Sequence, residues 1–338
     1  MSADAMIPVV ERRFDESRGR QMLRPLVAAA PVFVVLFGLF IWITIENPNF
    51  TNPNVFFIFM RRAAPLMVLA AGQLFVIVSG EFDLSMGALA TLTVILAASW
   101  IDGDPGRTWW VIAALLLIGA LVGLANGLIT TLLGVPSFIT TLGMLLILDG
   151  FALWWSGGTP KGSLPDNFRM WGRTSMQDVP LIGQLPYSVI VMWAVGILCA
   201  WLLHFTSFGK QVFATGGNPR AAFFSGVHVP RVRTFCFVIS ALTGVLAGVL
   251  LGGFSGVSPD AGGGYEFRAI SAVVLGGAVL GGGRGAVIPA MAGALALEAL
   301  FTLLNLLGLP NPIRDVFQGV IIIGALGIVA FRERKTRE

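Results

Sequence analysis

Phe208–Arg233, FGKQVFATGGNPRAAFFSGVHVPRVR, is a polar island between two long apolar runs. It carries Lys210, Arg220, Arg231 and Arg233 and no acidic residue. Gly216-Gly217 are expected to turn the chain, Asn218 to cap the first free backbone N–H groups, and Pro219 to occupy the first helical position. Arg220-Ala221-Ala222-Phe223-Phe224-Ser225 then spans less than two turns before Gly226, a good left-handed terminator. A helix this short does not hold in water alone. It needs a surface to lie against, and Phe223 and Phe224 are the side chains it offers. The same residues also fit a plain loop joining two membrane helices.

The runs on either side of the island set the class. Hydrophobic residues make up 56% of the chain and charged residues 12%, with a mean hydropathy of +0.83. Soluble domains carry about 25% charge, so the composition is that of a polytopic membrane protein. The net charge of +4 is modest, and no basic face with interleaved aromatics points to nucleic acid. Cys199 and Cys236 both fall in apolar runs, which argues against a disulfide framework or a metal cluster. Residues 1–24 are polar and Arg-rich without an apolar core, and read as a tail.

A spanning helix takes about 20 apolar residues. The expected spans are Leu26–Ile45, Ala63–Ser79, Met86–Trp100, Trp109–Leu133, Phe138–Trp155, Tyr187–Phe205, Thr234–Phe254, Ala286–Leu307 and Ile313–Phe331. Val55–Met60, ahead of Arg61-Arg62, reads as interfacial, because adjacent arginines are costly deep in lipid. Ala269–Gly282 is short for a full crossing and reads as a tilted, partly unwound or re-entrant piece. Most of the 22 basic residues then fall on one side: the N-terminal tail, the island, Arg284 and the C-terminal tail 332–338. Arg107, Lys161, Arg169, Arg173 and Arg314 fall on the other. This bias predicts an all-α polytopic protein of about ten transmembrane segments with both termini cytoplasmic. Residues 25–331 form the membrane domain, with a cytoplasmic loop at 206–233 and the longest external stretch at 156–186.

Gly123 and Gly127, and the glycines from Gly276 to Gly283, would allow close helix approach or unwound backbone. Unwound backbone at membrane depth must be buried in protein or line a cavity. Such places fit a transporter or channel as well as simple packing. Polar groups inside the apolar bundle need a wet or hydrogen-bonding setting, so Gln73, Asp83, Ser85 and Asn126 are the candidates for lining or bordering a solute route. Asp83 alternatively caps the segment starting near Ser85. Asp149 and Glu298 are the clearest acids within spans, and interhelical hydrogen bonding accounts for them as well as solute contact does. No phosphate-cradling loop is present: Gly209-Lys210 is followed by Gln211, and His204 stands where the first glycine belongs.

Three stretches carry a family resemblance. Gly72–Gly87 (GQLFVIVSGEFDLSMG), Ala214–Pro219 with Ala221-Ala222 and Ser225-Gly226-Val227, and Gly264–Gly277 (GYEFRAISAVVLGG) resemble signature regions of the ribose-type ABC sugar importer permeases. With the span pattern, the likeness covers nearly the whole chain from about residue 30. It implies a multi-pass permease subunit of a bacterial cytoplasmic (inner) membrane that moves a monosaccharide by alternating access. It also implies a second permease, identical or a related paralogue, an extracytoplasmic sugar-binding protein, and a cytoplasmic ATP-binding-cassette ATPase that holds ATP and Mg. This chain itself would bind no cofactor and catalyse no reaction. The island becomes the ATPase coupling element: Asn218, Arg220, Ala221, Ala222, Phe223, Phe224, Ser225 and Gly226, presenting small residues and two phenylalanines. Glu81 stands where the family pattern has glycine, and Arg268 where it has an acid. A proton- or ion-coupled secondary carrier is the alternative, and a membrane scaffold without transport comes third.

Overall fold

The computed structural model describes residues 30–180 and 183–310 with scattered positions from 312 to 324. The tails 1–24 and 332–338, and most of the expected span Ile313–Phe331, lie outside the described residues. The chain is mostly helical, in the order α1 (Ala30–Glu46), α2 (Pro53–Val78), α3 (Met86–Ile101), α4 (Thr108–Leu132), α5 (Ser137–Ser156), α6 (Asp166–Arg173), α7 (Tyr187–Phe205), α8 (Ser207–Gly217), α9 (Pro219–Phe224), α10 (Val229–Ser255), α11 (Tyr265–Leu275) and α12 (Val287–Leu306). Among the described residues, the helices built on α2, α4, α5, α7, α10 and α12 are long and apolar enough to cross a membrane; α1 and α3 are shorter apolar helices.

Three features add to or depart from the sequence reading. The stretch 156–186 holds α6 and an antiparallel hairpin, β1 (Ser175–Val179) with β2 (Gly183–Pro186), in register Ser175 with Pro186. Val55–Met60 is no separate interfacial piece, because α2 runs unbroken through Arg61-Arg62. Arg61 is accommodated by donating to the Arg173 carbonyl at 2.8 Å and by lying 5.5 Å above the Phe254 ring. Gly216-Gly217 do not turn the chain; they are the last residues of α8, and the reversal falls at Asn218.

The core lies along α2, α3, α10 and α12, which are buried over most of their lengths. Helices α1, α4, α5 and α7 surround them and expose large apolar side chains such as Phe37, Leu121, Leu146 and Ile197, as expected where the outer solvent is lipid. Close approach of α4 to α10 depends on the glycines singled out in the sequence. A Cβ on Gly123 would stand 2.6 Å from the Phe237 carbonyl oxygen, and one on Gly127 2.6 Å from the Thr234 Cα.

Helix α11 has 11 residues, a length of about 16 Å, roughly half a membrane. From Gly276 to Ala286 the chain has no regular helix, and it returns to the end of the bundle that carries the island. There the Gly283 N–H donates to the Val78 carbonyl at 2.8 Å. Within this irregular stretch the Val279 N–H also donates to the Arg284 carbonyl at 3.1 Å and the Gly282 N–H to the Val279 carbonyl at 3.0 Å, partners of the kind that non-helical backbone at membrane depth requires.

Candidate functional site

Helix α2 ends at Val78 and α3 begins at Met86, leaving seven residues of irregular backbone inside the bundle. Gly80 makes the turn with φ +88, a conformation that costs glycine nothing. The backbone polar groups find partners: Glu81 N–H donates to the Val76 carbonyl at 3.0 Å, and Phe82 N–H to Ser137 Oγ at 3.1 Å.

This turn gathers three of the four sequence candidates into one network. Asp83 Oδ1 accepts from the Ser85 N–H at 2.9 Å and from Ser85 Oγ at 2.7 Å. Ser85 Oγ in turn accepts from Asn126 Nδ2 on α4 at 2.9 Å. Asp83 Oδ2 accepts from Ser240 Oγ on α10 at 2.7 Å. All four residues are at most 1% exposed. Three donors on one carboxylate are the compensation that a buried polar group requires. The bond to the Ser85 N–H closes a local turn just ahead of α3, whose first N–H groups take no side-chain cap, and the bond to Ser240 ties that turn to α10.

Gln73, the fourth candidate, lies apart on α2. Its side chain is fully buried, and neither Nε2 nor Oε1 has a partner. Ser240 was not singled out from sequence: a lone serine in an apolar helix carries no signal until its partner on another element is known.

At the island, Asn218 caps α9 as its position in the sequence suggested, with Oδ1 accepting from the Ala221 N–H at 3.0 Å. Gly226 closes the helix at φ +85, and Ser225 Oγ donates back to the Ala221 carbonyl at 2.9 Å. Arg220, Ala221 and Ser225 are exposed, and Phe223 and Phe224 are 64% and 86% exposed. Ala222 differs from its neighbours, being only 4% exposed and turned into this chain. The island is anchored by Phe208, whose ring stacks on Phe75 of α2 at 6.3 Å.

The two residues that depart from the family pattern both have defined settings. Glu81 Oε1 pairs with Arg233 Nη1 at 2.7 Å, in a partly buried contact. The pair borders a cleft of about 310 Å³ whose walls include Thr130, Pro136 and Val229. The Arg268 guanidinium lies over the rings of Tyr265 and Phe301, 5.3 and 5.1 Å from their centroids.

Comparison with known proteins agrees with the resemblance drawn from the three motifs. Residues 55–326 match the family described as the permease component of branched-chain amino acid transport systems. The ribose import permease protein RbsC of Bacillus subtilis (strain 168) is 36% identical over 302 residues, covering 87% of this chain and 90% of that protein. The protein of the same name from Escherichia coli (strain K12) is 34% identical over 87% of this chain and 91% of its own length. The autoinducer 2 import system permease protein LsrC of Yersinia pseudotuberculosis (strain IP 31758) is 31% identical over 87% of this chain and 82% of its own. No solved structure matches the chain. With six apolar helices of membrane-spanning length among the described residues, and with relatives aligned along most of their lengths, the chain belongs to this family of multi-pass membrane permease components of transport systems.

Proposed function

We propose that the chain is the membrane subunit of an ATP-binding-cassette importer that moves a monosaccharide inward by alternating access. ATP and Mg are held by a separate ATPase docked on the cytoplasmic side, a binding protein delivers sugar outside, and a second permease completes the membrane unit. The ribose import permeases among the relatives support a pentose-like substrate with many hydroxyls. The whole would comprise about ten crossings, with the island and both termini in the cytoplasm.

The observation that carries this reading is α9. A six-residue helix with Pro219 at its first position, an Asn218 cap and two bare phenylalanines suits a surface that the described residues do not supply. Burying one such ring in a partner's groove contributes about 1.5–3 kcal/mol, and Arg220 beside it suits an acidic rim. Phe224→Asp in the assembled complex tests this: the permease should accumulate normally while ATPase co-purification is lost. Retained ATPase with unchanged uptake would return the island to a plain loop.

For the solute route, the Asp83–Ser85–Asn126 network borders the path and holds its walls through the bonds its members make to one another, while the buried Asn126 Oδ1 keeps no partner. Gln73, with a buried amide lacking partners, is the candidate for direct contact with sugar hydroxyls once the bundle opens.

A further inference from the structure

Helix α10 grips the irregular 79–85 turn at two points. Arg233, five residues into the helix and the last residue of the island, holds Glu81 at 2.7 Å. Ser240, seven residues further along the same helix, holds Asp83 at 2.7 Å. Seven residues of α-helix rise about 10 Å, so one rigid rod carries both contacts. The end of α2, just ahead of the turn, is also met from the island side by backbone: a Cβ on Gly216 would overlap the Val78 carbonyl and stand 2.5 Å from the Gly283 nitrogen. An island displaced by a docked partner therefore pulls on this turn through α10.

We infer that Glu81 and Arg233 are a positioning pair through which motion of the island reaches the 79–85 turn, joined in the closed state and parted when the adjoining cleft opens. The inference rests on the island being the ATPase-docking surface. Several features favour a working contact over an incidental one. The pair links residues 152 positions apart, and both side chains are largely shielded. By contrast, the Arg107–Asp104 pair is half exposed and joins neighbours on one turn, the kind of contact that contributes little. Arg233 also keeps a buried Nε without a partner, and Thr130 in the cleft wall keeps a buried hydroxyl without one. Both can gain water or a new partner when the cleft widens.

The test uses the full permease with its own ATPase in proteoliposomes. Thr130→Cys, placed in a Cys199→Ser, Cys236→Ser background, reports the cleft through its rate of labelling by a fluorescent maleimide, and needs no knowledge of the sugar. With the pair intact, ATP should change that rate by about tenfold, equivalent to about 1.4 kcal/mol. Glu81→Gln should keep the ATPase bound and hydrolysing while the labelling rate stops responding to ATP. The exchanged pair, Glu81→Arg with Arg233→Glu, should restore the response, which a merely structural role for either residue does not predict. An ATP response in Glu81→Gln equal to the parent's, no ATP response in the parent, no recovery in the exchanged pair, or loss of the ATPase from Glu81→Gln would each overturn the proposal. A parent complex that neither retains nor activates the ATPase would refute the docking reading itself, and this proposal with it.

Discussion

At the scale of single residues, Asp83 and Gln73 are both buried acceptors in an apolar bundle, yet their situations are opposite. Asp83 is fully partnered, so Asp83→Ala strands the Ser85 N–H, the Ser85 hydroxyl and the Ser240 hydroxyl at once. Each buried group left unpaired costs about 1–3 kcal/mol, so a clear fall in the thermal midpoint of the purified permease is expected. An unchanged midpoint would mean that the network is not a structural tie. Gln73 has nothing to lose by the same measure: Gln73→Leu removes an unpartnered amide and should leave the midpoint equal or higher. Its uptake of radiolabelled ribose should nevertheless drop if the amide meets sugar hydroxyls, and full uptake would remove Gln73 from the route. The polar character of these sites could be read from the sequence, since glutamine, aspartate and asparagine stand out among valines and leucines. Their partnerships could not. Ser240 and Asn126 meet the 79–85 turn from elements more than forty residues away, and no spacing rule reaches that far.

At the scale of elements, helices bounded by strong local signals match their expected limits. Tyr187–Phe205 does so residue for residue, because Pro186 precedes it and Thr206 caps the next helix by accepting the Gly209 N–H. Helices whose limits depend on distant partners do not. Helix α2 continues through Arg61-Arg62 because the Arg173 carbonyl and the Phe254 ring receive Arg61, and α8 continues through Gly216-Gly217 because the first of these packs against Val78. The two glycines therefore differ sharply. Gly216→Ala should cost about 1–3 kcal/mol through overlap with backbone that cannot give way, whereas a Cβ on Gly217 meets nothing within 4 Å. Gly217→Ala should be neutral or should stabilise by up to about 1 kcal/mol through helix propensity. Denaturation of the two variants side by side checks the contrast, and equal stabilities would show that the α8–α2 contact is looser than the geometry implies. The same reasoning favours Phe223 and Phe224 over Ala222 as probes of docking. A charge at Ala222 would disturb this chain's own packing before it reached any partner.

At the scale of the whole molecule, the proposed sidedness turns on one helix and not on the total number of crossings. Lys161 lies in the stretch between α5 and β1, and Arg220 lies on the island. Between them the chain passes through α7, whose 19 residues give about 28 Å, enough for one passage through the hydrocarbon. The proposed topology therefore puts the two residues on opposite sides. The remainder of the chain is consistent with this: α10 leads away from the island, and α11 with its unwound continuation brings Gly282 and Gly283 back to Gly216. A short helix that looked inadequate from its length thus regains the island end through a stretch of turns, with left-handed glycines at Gly277, Gly282 and Gly283. The orientation proposed rests on the basic residues: Lys210, Arg220, Arg231 and Arg233 favour a cytoplasmic island. Single cysteines at Lys161 and Arg220 in a cysteine-free background provide the measurement. In intact cells an impermeant maleimide should label Lys161→Cys, and it should reach Arg220→Cys only after the membrane is opened. Labelling of both positions in intact cells would break the link between α7 and a membrane crossing. Labelling of Arg220→Cys alone would invert the orientation and place the island where no cytoplasmic ATPase could meet it.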